Sequence, residues 1–268
     1  GVNAQLIVPE HNVDRFRNSF PTLLDGAEFV YGHLFDQAAS DANAGGAQPP
    51  PQLFSKLDVR VRDQIVRDGF TRGPLDLQDS GDALPPDQWH RRLQQRNDDN
   101  DSHTMVLDVR NVYEHEIGRF DGATRIMVDT FRDTFDAVDD LLEQHAEEHG
   151  GAKPANVMMY CTGGIRCEKV GAYLRQYRGV ENIQKLRGGI VNYMKFLKDE
   201  RATAAGDDTG MPESLSGPVE SLFKGKNFVF DQRCVGEAPG SENVTADVLG
   251  RCFQCGEPTS HHTNCSNL

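Results

Sequence analysis

The chain is poor in positive charge, in tryptophan and in cysteine. Its 268 residues hold 28 lysines and arginines against 41 aspartates and glutamates, a net charge of −13, with one tryptophan and six cysteines. Each shortage excludes something. An acidic chain repels polyphosphates, which opposes nonspecific nucleic-acid binding. The cysteine usage suits a reducing, intracellular compartment better than a disulfide framework. Apolar residues make up 37% of the chain and no apolar run approaches a membrane span, so a soluble protein with no membrane partner is expected. No signal peptide, dinucleotide-binding glycine fingerprint, Walker loop or two-histidine-one-carboxylate pattern is recognisable, and no internal repeat is evident.

The informative stretch is Cys161-Thr162-Gly163-Gly164-Ile165-Arg166. The apolar run Asn156–Tyr160 before it reads as a buried strand, and Val170, Tyr173, Leu174 and Tyr177 after it recur at helical spacing. A cysteine at a strand end, in a Gly-Gly turn at a helix start, has a chemical consequence. Successive amide N–H groups from Thr162 to Arg166 form a concave anion nest, and the helix dipole adds positive potential. Cys161 is expected to be a stabilised thiolate and nucleophile. Thr162 is placed to donate a hydrogen bond to its adduct. Arg166 either binds a substrate anion or locks the loop through a carboxylate. Cys167 is either a packed helix cysteine or a resolving thiol that closes a disulfide onto oxidised Cys161.

The Cys-x4-Arg spacing resembles the active-site loop of rhodanese domains. Met105–Arg110 resembles the rhodanese strand ending in Asp-Val-Arg, Glu114–Ala123 the family's Glu-x-x-x-Gly-x-x-x-x-Ala segment, and Leu186–Ile190 the Gly-Gly after its last strand. These cover about residues 83 to 200. Met159–Lys169 is similar, nearly letter for letter, to the TrhO family of rhodanese-like tRNA uridine hydroxylases. Gly1–Ala4, Gly225–Asp231 and Cys252-x-x-Cys255-Gly256-x-Pro258 with Cys265 resemble that family's flanking segments. The first of these lies deep in the family's pattern and the last stops inside it, so residues missing at both ends are expected.

The resemblance implies a persulfide-type cysteine at Cys161, tRNA as partner, molecular oxygen as co-substrate, and oxidation of the wobble uridine to 5-hydroxyuridine. Asp108 is implied to hold the loop. Arg110, at the end of the neighbouring strand, is a candidate for binding phosphate or the substrate base, with Tyr113 and Glu114 lining the entrance and Glu114 or His115 a candidate proton shuttle. Two other functions stay open: a thiosulfate or persulfide sulfurtransferase, and a non-enzymatic rhodanese-like scaffold in a larger assembly. Lys169, Arg175, Lys185, Arg187 and their basic neighbours form either an RNA-facing patch beside the cysteine or ordinary solvated surface. Arg60, Arg62 and Arg67 are weaker RNA candidates.

The expected architecture is α/β. Residues 1–73 read as one unit with strands at Ala4–Val8, Ala27–Gly32 and the alternating Leu57–Arg62, a helix at Asn12–Phe20, and a loop at Asp36–Pro51, which the resemblance implies is a partial ferredoxin-like α+β domain. Residues 83–200 form the rhodanese domain, a parallel sheet flanked by helices, with strands at Met105–Val109, Thr124–Val128, Val157–Tyr160 and Ile183–Leu186 and Trp89 as a core anchor. Residues 74–82 and 201–217 are linkers. Residues 218–268 are a cysteine-rich tail without a core of its own, with a short strand at Asn227–Phe230. Cys252, Cys255 and Cys265 are candidate ligands of a structural zinc ion, with His261, His262 or a group beyond Leu268 as the fourth. Cys234 has no assignment.

Overall fold

The apolar runs in the middle of the chain become a parallel sheet. The computed structural model describes residues 4, 6, 8–20, 22, 59–98, 103–206, 219–228 and 244–260. They fall in two compact units, residues 1–67 and 68–268.

In the first unit a single 3₁₀ turn, Glu10–Asn12, leads into α1 (Val13–Ser19), the helix expected there. Val13 and Phe16 are half-buried on one face, and Phe16 meets Phe20 edge-on at 5.9 Å. The alternating segment is not a strand where it is described. Residues 59–62 join no ladder, and Val59 and Val61 are 78% and 97% exposed. Alternation buries one face only where a sheet receives it, and no strand occurs among the described residues of this unit. Ala4, Leu6 and Val8 are likewise not in a strand. The expected Ala27–Gly32 strand, the Asp36–Pro51 loop and Leu57 lie outside the described residues.

In the second unit five parallel strands stand in the order β1-β6-β5-β2-β4. They are β1 (Asp82–Leu84), β2 (Thr104–Asp108), β4 (Thr124–Arg125), β5 (Asn156–Tyr160) and β6 (Ile183–Leu186). β3 (Gly118–Phe120) pairs antiparallel with β7 (Phe223–Gly225) in a separate ribbon. Three expectations are corrected. β1 begins at Asp82, the last residue read as linker, and takes in Ala83 and Leu84; three residues are too few to carry a period. β4 stops at Arg125, because beyond it the chain turns inward, with Val128 N–H donating to Ile126 O at 3.0 Å instead of to a ladder. The post-domain strand is Phe223–Gly225, and Asn227 and Phe228 lie beyond it.

The helices are α2 (Pro86–Asp98), α3 (Val112–Ile117), α4 (Thr134–Glu148), α5 (Ile165–Arg178) and α6 (Gly189–Gly206). Pro86 opens α2, where the missing N–H costs nothing. Right-handed crossovers send the α4 and α5 connections to one face of the sheet and the α2 connection to the other. On the α2 and α6 side, Val106, Met158, Tyr160 and Leu186 pack with Trp89, Leu93, Ile190, Tyr193 and Leu197, and Phe223 from the tail joins them. Trp89 is the core anchor expected, 5.7 Å from the ring of Phe120. On the other side Phe70 and Phe135 pack against Tyr173 of α5 at 5.6 and 4.8 Å. The tail residues thus join an existing core. β2 and β5 are neighbours in register, Asp108 opposite Tyr160, so residues leaving their carboxyl ends meet at one end of the sheet.

Candidate active site

Cys161 is the first residue after β5, and α5 begins four residues later. Between them the chain must reverse within three residues. Gly164 makes that possible at φ +91°, a left-handed conformation that a side chain disfavours. The turn aims Gly164 N–H at Cys161 Sγ, 3.0 Å away. A second element clamps the loop. At the start of α6, Ile190 N–H donates to Cys161 O at 3.0 Å and Val191 N–H to Thr162 O at 3.2 Å. Gly189 permits this approach, since a β-carbon there would lie 2.5 Å from both carbonyl oxygens.

Arg166 turns away from the nest and locks the loop. Its Nη1 and Nη2 donate to Glu114 Oε2 and Oε1 at 2.6 and 2.9 Å, a bidentate pair between buried side chains. Nη2 also donates to Thr162 Oγ1 at 3.1 Å, and that hydroxyl donates to Glu114 Oε1 at 3.1 Å. Asn111 N–H caps Glu114 Oε2 at 3.1 Å. Of the two roles open to Arg166, the structural one is the one its partners define. Glu114, fully buried among four donors, is an anchor and not a proton shuttle. Burial alone would lower the Arg166 pKa; the Glu114 carboxylate outweighs it and holds the guanidinium charged.

The charge lock acts on Cys161. Burial pushes the thiol pKa up, but the hydrogen bond from Cys167, the Arg166 charge and the amides of Arg166 and Cys167 bring it down to about 6. Near neutral pH the thiolate therefore predominates. Cys167, in the first turn of α5, is fully buried, and burial pushes its thiol pKa up.

Arg110 is a correction. Its side chain is fully buried, with Nε and Nη2 donating to Asp108 Oδ1 and Oδ2 at 2.8 and 2.7 Å and Nη2 to Gly118 O at 2.5 Å. It stands 5.5 Å over the Tyr160 ring and 5.7 Å over that of Phe223. No substrate reaches it. A guanidinium two residues after a carboxylate on a buried strand end pairs with that carboxylate. Asp108, structural as expected, also accepts from Tyr160 Oη at 2.8 Å and pairs with His115 Nδ1 at 2.8 Å. Burial pushes Asp108 up, but Arg110 and His115 hold it well below the usual carboxylate range.

The basic patch is also corrected. Lys169 pairs with Asp68, Arg175 with Asp79 at 2.9 Å, and Lys185 with Glu168 at 2.6 Å. Lys185 also donates to Ser80 Oγ at 2.7 Å and is 4% exposed, and Arg187 donates to Ala83 O at 3.0 Å. These contacts tie β1 and the segment before it to α5 and β6; Lys185 is spent inside the fold, while Arg175 and Arg187 keep exposed surface. The tail supplies contacts that spacing did not reveal. Phe228 O lies 3.4 Å from Thr162 Oγ1, and the Phe228 ring meets that of Tyr113 at 5.3 Å, so the tail covers the loop beside Cys161.

Cys252 and Cys255 occupy a knuckle in which Cys252 N–H donates to Glu257 O and Gly256 N–H to Cys252 O, both at 2.9 Å. Hydrogen bonds from the Cys255 and Gln254 amides lower the Cys252 pKa, so the donors suit a thiolate-binding cation. No cluster of three or more metal-ligating side chains occurs among the described residues, and Cys265, His261, His262 and Cys234 lie outside them.

A thiolate held by loop amides at the end of a five-stranded parallel sheet defines a rhodanese-type site. Residues 90–196 match the rhodanese-like domain and residues 224–268 the family described as rhodanase C-terminal. The middle of the chain thus carries a rhodanese-like domain, and the chain is similar to tRNA uridine(34) hydroxylases along its whole length. It is 38% identical over 267 residues to a tRNA uridine(34) hydroxylase of Erwinia tasmaniensis, and 34% identical over 268 residues to one of Escherichia fergusonii. A tRNA uridine(34) hydroxylase of Leptospira interrogans is 34% identical over 267 residues. All of this chain is covered in each case, and it spans 63%, 63% and 59% of those relatives.

Proposed function

We propose that this protein hydroxylates the wobble uridine of tRNA at C5, with molecular oxygen as co-substrate and Cys161 as the essential thiolate. The observation that carries the reading is the Cys161 loop: a buried sulfur with a pKa of about 6, an amide 3.0 Å away, and a locked arginine behind it. Similarity over the full chain to proteins named tRNA uridine(34) hydroxylase supports the choice of substrate. The chemical role open to such a thiolate is addition to C6 of the uracil ring. That addition moves an electron pair toward C5 and O4 and makes C5 the nucleophile; expulsion of the thiolate restores the ring. Replacing C5–H by C5–OH with oxygen consumes two electrons from a reductant and releases water. The loop amides hold the thiolate when it leaves.

The tRNA backbone needs exposed cations. The exposed Arg60 and Arg62 of the first unit are our candidates. We also assign residues 1–73 to a ferredoxin-like unit and Cys252, Cys255 and Cys265 to a structural zinc site, on the resemblance. Nucleoside mass spectrometry of tRNA from cells with the protein, without it, and with Cys161→Ser tests the reading. 5-Hydroxyuridine is expected only with the intact protein; its persistence in the deletion strain refutes the assignment.

The amide nest supports a second reading, sulfur transfer through a Cys161 persulfide, because the same donors stabilise a persulfide anion. Thiocyanate formation from thiosulfate and cyanide tests it. A protein that makes thiocyanate but leaves tRNA unmodified is a sulfurtransferase.

A further inference from the structure

The thiolate chemistry proposed above sets a geometric demand that the sulfur cannot meet alone. Attack on C6 of a uracil runs perpendicular to the ring. One face of the base must therefore lie on Cys161 Sγ, and something must hold the base in that pose. Enzymes that work on a base take it out of its stack, and an aromatic side chain then supplies the lost stacking partner. Two rings stand beside the Cys161 loop. Phe228 O lies 3.4 Å from Oγ1 of Thr162, the residue after the nucleophile. The Phe228 ring meets that of Tyr113 at 5.3 Å and 72°. Tyr113 also precedes Glu114, which accepts from the same Thr162 hydroxyl at 3.1 Å.

The two rings are not equivalent. Phe228 is 8% exposed, whereas Tyr113 is only half-buried. The edge-to-face contact with Phe228 fixes the Tyr113 ring on one side. At its other end Asn111 Nδ2 donates to Tyr113 Oη at 2.8 Å. Asn111 is in turn tied to the loop lock, its N–H donating to Glu114 Oε2 at 3.1 Å. The phenol is thus anchored at ring and hydroxyl while part of it stays open to solvent. The loop leaves space as well: a β-carbon at Gly163, two residues past the nucleophile, would have nothing within 4 Å.

We propose that Tyr113 is the ring on which the target uracil stacks, with Phe228 and Asn111 holding that ring in place. The inference rests on tRNA uridine as the substrate and names the residue that presents the base to Cys161. Stacking draws on the flat face of the base and asks for no cation. It therefore suits a site whose guanidinium, Arg166, is committed to Glu114. Stacking tolerates any base, because every base has a π-face. The contrast that reads it is a base against no base.

The test uses the full chain and anticodon stem-loop RNA carrying either uridine or an abasic residue at the wobble position. Wild-type protein should bind the uridine RNA more tightly. Tyr113→Leu should lower affinity for it roughly 5- to 150-fold, the range for one stacked base, while Tyr113→Phe keeps it. Affinity for the abasic RNA should be the same in all three proteins. Alkylation of Cys161 by iodoacetamide should not change either, since the contacts that acidify Cys161 do not include Tyr113. RNA with 5-iodouridine at the wobble position reads the unmutated protein: irradiation should crosslink it to Tyr113. A Tyr113→Leu protein that keeps the full preference for the uridine RNA overturns the inference and leaves the substrate reading standing. Crosslinks that form only elsewhere do the same. Equal loss of affinity for both RNAs, without a crosslink at Tyr113, also overturns it, because the side chain then serves the RNA backbone or the fold. Wild-type protein that binds neither RNA, or both alike, overturns the uridine reading and the inference with it.

Discussion

Replacing Glu114 by glutamine separates the lock on the loop from the chemistry it serves. Glutamine keeps the volume but removes the charge and turns one acceptor into a donor. Arg166, with a side chain 10% exposed against a fully buried Glu114, then keeps its positive charge without a counter-ion. Only one acceptor oxygen remains, so either the Arg166 contact at 2.6 Å and the Asn111 N–H cap at 3.1 Å are lost together, or the Arg166 contact at 2.9 Å is. Removing one partner of a buried pair costs about 3–5 kcal/mol, mostly the cost of the stranded charge. Urea unfolding should show this as a lower midpoint with an unchanged slope. The double variant Glu114→Gln with Arg166→Met removes both charges and should recover part of the loss, because the stranded charge is gone. Its Cys161 should still be less acidic than in the wild type, since the Arg166 field is lost. A Glu114→Gln protein within about 0.5 kcal/mol of the wild type, the ordinary range of surface changes, would refute the argument.

Other consequences are equally direct. Alkylation of Cys161 against pH should rise through about 6: the thiolate is the reactive form, so reactivity is present above that value and lost below it. A midpoint near the ordinary thiol value would count against the nest. Gly189→Ala places a β-carbon 2.5 Å from the carbonyl oxygens of Cys161 and Thr162 at φ +64°, so it should slow Cys161 alkylation and lower the melting temperature together. Unchanged kinetics would mean that α6 does not hold the loop. Charge reversal at Arg60 and Arg62 should weaken tRNA binding and flatten its salt dependence. Lys185→Glu, which puts a second carboxylate beside Glu168, should instead destabilise the fold; a selective loss of RNA affinity there would restore the patch beside the cysteine. Elemental analysis of the full chain should find one zinc, lost on replacing Cys252, and a metal-free protein ends the knuckle assignment.

The readable part of this protein is local. Short apolar runs named β2 and β5 to within a residue, because a strand buried on both faces writes itself as a continuous apolar segment; β6, with Gln184 and Lys185 between apolar ends, carries no such run. The Gly-Gly turn between strand and helix located Cys161 and its amides, because the backbone conformation of a tight turn depends on the residues within it. The Leu57–Arg62 alternation was legible in the same way and misled, since a period states which residues share a face but not whether a sheet stands against it. Tertiary structure alone decided which charges are spent. Arg166 finds Glu114 across 52 positions, Lys169 finds Asp68 across 101, and Lys185 finds Ser80 across 105. Arg110, read as a substrate ligand, is sealed under Phe223 from the tail. A basic residue looks the same in sequence whether it faces solvent or a carboxylate, because charge carries no periodic signature. Its partner is set by which strand ends and helix faces the parallel topology brings together, and so by packing far beyond the reach of any local window.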